Sequence, residues 1–167
     1  MSDDPAVQRV VAVATSTGLP FEVIDCDPAL ADTAAFCEAY GFSPDESANC
    51  VVVVGKSDPA VHAACVLLAT TRLDVNGVVR RRLGSRKASF APADDVRAMT
   101  GMEIGGVTPV GLPGSLPLWI DARVLACERI IVGGGGRSAK LLVPPELLVA
   151  LGGVVVEDLA KPVPTGA

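Results

Sequence analysis

The stretch best suited to chemistry is Gly105-Gly106-Val107-Thr108-Pro109-Val110-Gly111-Leu112. Three glycines and a proline in eight residues exclude a regular helix. Successive free N–H groups in such a turn form a concavity that suits an anionic or developing-anion oxygen. A rigid connecting loop is the plain alternative, since Gly and Pro punctuate many connections. A second cluster, Gly133-Gly134-Gly135-Gly136-Arg137-Ser138, follows an apolar run at Arg129–Val132. It is not a Walker A loop: the GK[ST] ending is missing and a strand, not a helix, is predicted next. A strongly bent hairpin, a second backbone wall of the same site and a small phosphate-binding loop all remain open. Asp121, at the end of Leu118–Ile120, could cap a turn at Ala122–Leu125 or hold the glycine loops through their N–H groups.

Side-chain chemistry is sparse. His62 is the single histidine, placed in a turn before a predicted strand with no local partner for a triad. One His and five scattered Cys (26, 37, 50, 65, 127) give no zinc spacing, so no metal and no cofactor are expected. The cysteines read as buried free thiols of a reducing, cytoplasmic setting. A site with few titratable groups would work by positioning and backbone donors. That suits hydrolysis of an activated ester by a bound water. Arg80, Arg81, Arg82, Arg86 and Lys87 put five cations in eight residues: a solvated helix face or a phosphate-contacting patch. The net charge of −5 argues against broad nonspecific nucleic-acid binding.

The elements that must position these residues follow from periodicity. Asp4-Pro5 opens a helix with Val7, Val10, Val11 and Ala14 on one stripe and Gly18 as its stop. Phe21–Cys26 reads as a strand. Asp27-Pro28 or Asp32 starts a second helix that ends at Gly41. Ser43-Pro44-Asp45-Glu46 is a capping turn that feeds the strand Cys50–Gly55. Ala63–Thr70 pairs with that strand across Lys56–Pro59, and both runs are apolar enough to be covered on both faces. Asp74 caps a helix over Val75–Leu83, with a short strand at Ala88–Phe90 and a short helix at Pro92–Met99. Strands at Leu118–Ile120, Arg129–Gly133 and Ala139–Val143 follow. A helix at Pro145–Leu151 and an edge strand at Val154–Glu157 come last, and 160–167 is expected to be a flexible tail. No apolar run is long enough to span a bilayer, and the Met-Ser-Asp-Asp start lacks a secretory pattern. At 167 residues, half of them hydrophobic, the chain should form one α/β domain over 1–167. Its sheet should be mixed, mostly antiparallel and curved, or a partly closed barrel, flanked by helices.

The ordered set Ser89-Phe90-Ala91, Thr100-Gly101, Gly105 to Leu112, Trp119-Ile120-Asp121 and Gly133 to Arg137 resembles the YbaK/prolyl-tRNA-synthetase-associated editing domain, over about residues 21–159. The resemblance implies a barrel-like mixed sheet and hydrolysis, in trans, of the ester of mischarged aminoacyl-tRNA. It implies mischarged tRNA as partner, with an aminoacyl-tRNA synthetase as a second, and no membrane. Carried over by residue, Gly105, Gly106, Thr108 and Pro109 would line the ester site, with Val107 beside the substrate. Gly134 and Gly135 would lie near the terminal adenosine, and Asp121 would support the loops. Apart from the resemblance, if the chain is such a deacylase, the basic Arg80, Arg81, Arg86 and Lys87 could touch tRNA phosphates. In the family a lysine precedes the central apolar strand and helps to position the substrate; here Asn49 stands there. Asn can donate and accept hydrogen bonds but brings no cation. Lys56, at the far end of the strand, is about 20 Å away at about 3.3 Å per residue. A deacylase that uses Asn49 is one reading. A non-catalytic relative that binds an aminoacyl-tRNA, a nucleotide or a protein partner is the other.

Overall fold

The computed structural model describes residues 3–163. Helix α1 (Pro5–Ser16) starts as its sequence dictates: the Asp4 carboxylate accepts from the Ala6 amide at 2.9 Å and Pro5 sits in the first turn. Val7, Val10 and Ala14 are buried along its inner face. Strand β1 (Glu22–Asp25) follows. Both candidate helix starts after it are used, one by a 3₁₀ turn at Pro28–Leu30 capped by Asp27, the other by α2 (Thr33–Tyr40) after Asp32. A 3₁₀ turn at Pro44–Glu46 leads into β2 (Ala48–Gly55), which pairs antiparallel with β3 (Val61–Leu68), Val52 opposite Ala64.

Next come β4 (Thr71–Leu73), a π-helical turn at Val75–Val79 that runs into α3 (Arg80–Leu83), β5 (Ala88–Phe90) and α4 (Ala93–Thr100). After the Gly/Pro loop come β6 (Leu118–Asp121), α5 (Ala122–Leu125), β7 (Ile130–Gly133), β8 (Ala139–Val143), α6 (Glu146–Ala150), β9 (Val154–Val156) and β10 (Ala160–Pro162).

The largest sheet has the order β5-β2-β3-β6-β9, antiparallel across β5, β2 and β3 and parallel from β3 to β9. A second, antiparallel sheet has the order β1-β8-β7, and β10 pairs with β4. A single bridge between Ser47 and Ile131 joins the start of β2 to β7 and so links the two larger sheets. The result is an α/β fold with a mixed, mostly antiparallel, curved sheet flanked by helices. The central pair is covered on both faces, as its unbroken apolar runs require. Val52, Ala64 and Val66 pack with Val10, Ile120 and Leu141, while Val53, Ala63 and Cys65 pack with Val79, Trp119 and Leu159.

Two expectations are corrected. His62 is inside β3, opposite Val54, because the strand begins two residues earlier than the apolar run suggests. The segment 160–167 is not all tail. Ala160–Pro162 forms β10, since the Asp121 carboxylate accepts from the Ala160 amide at 3.2 Å and Arg123 Nη1 donates to its carbonyl at 2.6 Å. Residues 164–167 lie outside the described residues.

Candidate functional site

A cavity of about 370 Å³ opens where the two larger sheets meet. The start of β2 gives it Ser47, Asn49 and Cys50; the start of α2 gives Asp32, Thr33 and Phe36; the Gly/Pro loop gives Gly105 and Val107; and the β7–β8 hairpin gives Gly133 and Lys140. Phe90, 57% exposed, and Ile104, 47% exposed, stand at its rim. Asn49 and the 105–107 loop, far apart in the sequence, therefore wall one space. Thr33 Oγ1 donates to Asn49 Oδ1 at 2.9 Å. That bond fixes the amide plane and leaves the NH₂ of Asn49 without a protein acceptor among the described residues.

The glycines work differently from a simple ligand cradle. Gly106 and Gly133 lie where the two glycine-rich loops cross. A Cβ on Gly106 would strike the Gly136 carbonyl, and one on Gly133 would strike the Val107 carbonyl. The Gly135 amide donates to the Gly106 carbonyl at 2.6 Å, and the Glu103 amide to the Gly135 carbonyl at 3.2 Å. The loops thus pack backbone on backbone, and only Gly105 and Val107 of the first reach the cavity wall. Thr108 is fully buried, its hydroxyl accepting from the Val110 amide at 3.4 Å, and Pro109 is buried beside it. Gly134 packs on the Ala139 carbonyl and Gly135 on Ala6 and Val10 of α1. Neither is part of the cavity wall. The amides of Gly105, Val107 and Thr108 have no backbone acceptor among the described residues.

Asp121 takes neither expected role. It makes no side-chain cap on α5, and its hydrogen bond goes to the Ala160 amide, not to a glycine loop. With Arg123 Nη1 3.6 Å away, it clamps the C-terminal strand. The cations of 80–87 lie outside the cavity wall: Arg81, Arg86 and Lys87 are exposed, and Arg80 is half-buried with its Nε donating to the Asn76 carbonyl at 2.9 Å. Their segment runs directly into β5, whose last residue is the rim residue Phe90. Arg82 instead stacks over Trp119 at 4.9 Å, above a separate surface hollow that includes His62.

Two residues of the β7–β8 hairpin matter more than their spacing suggests. Arg137 Nε donates to the Pro28 carbonyl at 3.0 Å. Its Nη1 donates to the Ile104 carbonyl at 3.0 Å and to Asp32 Oδ1 at 3.2 Å. Lys140, only 8% exposed, points Nζ at the Gly105 carbonyl, 3.2 Å away, and sits 5.6 Å over the Phe36 ring. Burial pulls its ammonium below the usual lysine range; Cys26, Asp32 and Cys37 act against that shift, and Arg137 adds to it. A lysine in a five-residue strand that is buried throughout breaks no periodicity and belongs to no motif, so spacing does not reveal it.

The nearby thiols are held toward their neutral form. Burial raises Cys26, Cys37 and Cys50 above the usual thiol range and takes Cys65 to about 12. Among the described residues no three His, Cys, Asp or Glu side chains gather as a metal site, and no helix is long and apolar enough to cross a membrane.

The profile of the aminoacyl-tRNA editing domain matches residues 27–151, well over half of the chain. The chain belongs to this family. The editing domain here is 26% identical over 115 residues to the "Putative Cys-tRNA(Pro)/Cys-tRNA(Cys) deacylase EbsC" of Enterococcus faecalis, covering 68% of each chain. It also superimposes on the crystal structure of "a putative trans-editing enzyme for prolyl tRNA synthetase" with a TM-score of 0.80 and 26% identity, over 93% of this chain and 98% of the other. A crystal structure of a protein described as hypothetical matches with a TM-score of 0.81 and 27% identity, over 92% and 99%. The matched span contains every element that walls the cavity.

Proposed function

We propose that this editing domain hydrolyses, in trans, the ester bond of a mischarged aminoacyl-tRNA. One observation carries the reading: Asn49 and the Gly105–Val107 backbone, remote in sequence, share one cavity large enough for an aminoacyl group and part of the ribose that bears it. The reaction adds a water oxygen to the ester carbonyl carbon, moving the π pair to the carbonyl oxygen. Collapse then breaks the bond to the ribose oxygen, which leaves with one of the water's protons; the other passes to solvent, and the amino acid departs as a carboxylate. The leaving group is already good, so geometry and donors supply most of what is needed. The amides of Gly105 and Val107 are suited to receive the oxyanion, and the Asn49 NH₂, held by Thr33, to orient the ribose hydroxyl or the water. Such editing answers the inability of a single apolar pocket to reject a slightly smaller amino acid.

The tRNA body would lie along Arg80, Arg81, Arg86 and Lys87, whose segment leads to the rim at Phe90. An exposed phenyl ring there suits stacking of the terminal base. An aminoacyl-tRNA synthetase as a second partner fits the trans-editing description of the structural neighbour.

The test is release of amino acid from a panel of mischarged tRNAs. Multiple turnovers with at least one member support the proposal, and no acceleration over the buffer rate with any member removes it. The uncharged Asn49 favours one competing reading, a module that binds the same aminoacyl end, a nucleotide or a protein without turnover. Saturable binding with no product would select that reading.

A further inference from the structure

We propose that Lys140 is a catalytic residue of this deacylation, its ammonium donating to the ester carbonyl oxygen as that oxygen gains negative charge. The inference rests on the deacylase reading above and assigns to the site the cation that Asn49 does not provide. A buried ammonium is costly unless it is paired and hydrogen-bonded. Lys140 has no carboxylate partner among the described residues, because Asp32 is engaged by Arg137. Its one acceptor is the Gly105 carbonyl. An ammonium has three donors; one is used on Gly105 and the Phe36 ring lies 5.6 Å from Nζ, which leaves a donor for the cavity whose wall Lys140 forms. The bond to Gly105 also places the charge beside a cavity-lining residue whose own amide has no backbone acceptor among the described residues. Arg137 and Lys140 together hold two successive carbonyls, those of Ile104 and Gly105, which turns this stretch of loop into a fixed frame. Arg137 is the more exposed of the two and spends Nε and Nη1 on protein acceptors, whereas Lys140 is buried at the cavity wall with a single protein acceptor. Lys140 keeps its proton throughout; the proton delivered to the ribose oxygen comes from the attacking water.

The groups that face Lys140 define its titration. Cys26 follows β1, Asp32 and Cys37 belong to the start and body of α2, and Arg137 lies on its own hairpin. Only the ammonium can serve, and burial lowers the pH at which it is lost. The enzymatic rate, after subtraction of the buffer rate, should therefore fall on the alkaline side at a pH below the ordinary lysine value of 10.5.

The experiment is steady-state deacylation of the best substrate of the panel, from pH 6 upward, by the wild type, Lys140→Met, Lys140→Arg and the double variant Asn49→Lys/Lys140→Met, with melting temperatures for each. Lys140→Met should lose roughly a hundredfold in kcat with KM changed little, as for removal of one oxyanion donor. Lys140→Arg should keep part of the rate and move the alkaline limb upward, because a guanidinium does not titrate there. The double variant should recover at least part of the lost kcat by returning a cation from the opposite wall. A folded Lys140→Met enzyme with near wild-type kcat overturns the inference while leaving the deacylase reading intact. If Lys140→Met does not fold, an alkaline limb unmoved in Lys140→Arg overturns it equally. A wild type with no turnover on any substrate overturns both.

Discussion

The Thr33 hydroxyl holds the neutral Asn49 amide in one orientation at the cavity wall. Asn49 is half-buried, and its carbonyl oxygen is taken by the Thr33 hydroxyl. The amide is therefore a one-sided donor toward the cavity. Asn49→Ala should lower kcat by roughly a hundredfold, the usual loss for a positioned donor in a closed site. Thr33→Val keeps the shape but frees the amide to rotate, so a smaller loss of about tenfold is expected, equivalent to about 1.4 kcal/mol or one hydrogen bond. Equal kcat for Thr33→Val and wild type would show that the tether does not matter. Asn49 was legible in the sequence because a capping turn and an apolar strand fix its place. Thr33 was not, because its role depends on α2 crossing the start of β2, a contact that no local pattern encodes.

The glycine loops teach a different lesson about elements. A Gly/Pro-rich stretch suggests bare backbone for a ligand; Gly105 does line the cavity, but what requires glycine there is its φ near 88° and the Arg137 guanidinium that a Cβ would strike. Gly106 and Gly133 are instead needed because two loops cross at backbone contact. Gly106→Ala should therefore cost roughly 3 kcal/mol, at the upper end of the overpacking range, since its neighbour is a carbonyl that cannot rotate away. Gly114→Ala, with open space around it, should stay within about 0.5 kcal/mol. Chemical denaturation of the two variants checks this, and equal midpoints would contradict the crossing. Helix starts at Asp4 and Asp27 were legible because capping chemistry is local; α2 begins after Asp32 without a side-chain cap, that carboxylate being engaged by Arg137. Strand β10 was not: its sequence is short and contains Pro162, and it is held by a buried Asp121 and by Arg123, whose partners are remote. The same Asp121 looked like a support for the site because its place in the chain is near the glycine loops, whereas its side chain binds the Ala160 amide and lies beside Arg123.

At the scale of the whole molecule, an acidic protein must approach a polyanion. The net charge of −5 makes the exposed Arg81, Arg86 and Lys87 a local exception, displayed beside the strand that leads to the rim at Phe90. If they meet tRNA phosphates, replacing all three by Ala should weaken binding most at low salt and reduce the magnitude of the slope of log K against log[salt] by about 2, at about 0.7–0.9 per phosphate contact. Deacylation of a short aminoacylated adenosine mimic, which lacks the tRNA body, should be unaffected by the same change. An unchanged salt slope would place the tRNA elsewhere. The layered architecture was legible from apolar runs and caps. The cavity was not, because it lies beside the Ser47–Ile131 bridge that joins two sheets remote in sequence, and its buried lysine comes from a strand with no polar periodicity.

The claim at the centre is that this cavity turns over an aminoacyl ester. The direct measurement is the rate of amino acid release from a panel of mischarged tRNAs by wild-type protein at substrate excess. The expected result is many turnovers per protein molecule on at least one tRNA, abolished or sharply reduced by Asn49→Ala. Rates equal to buffer across the whole panel, with the protein folded, would contradict it.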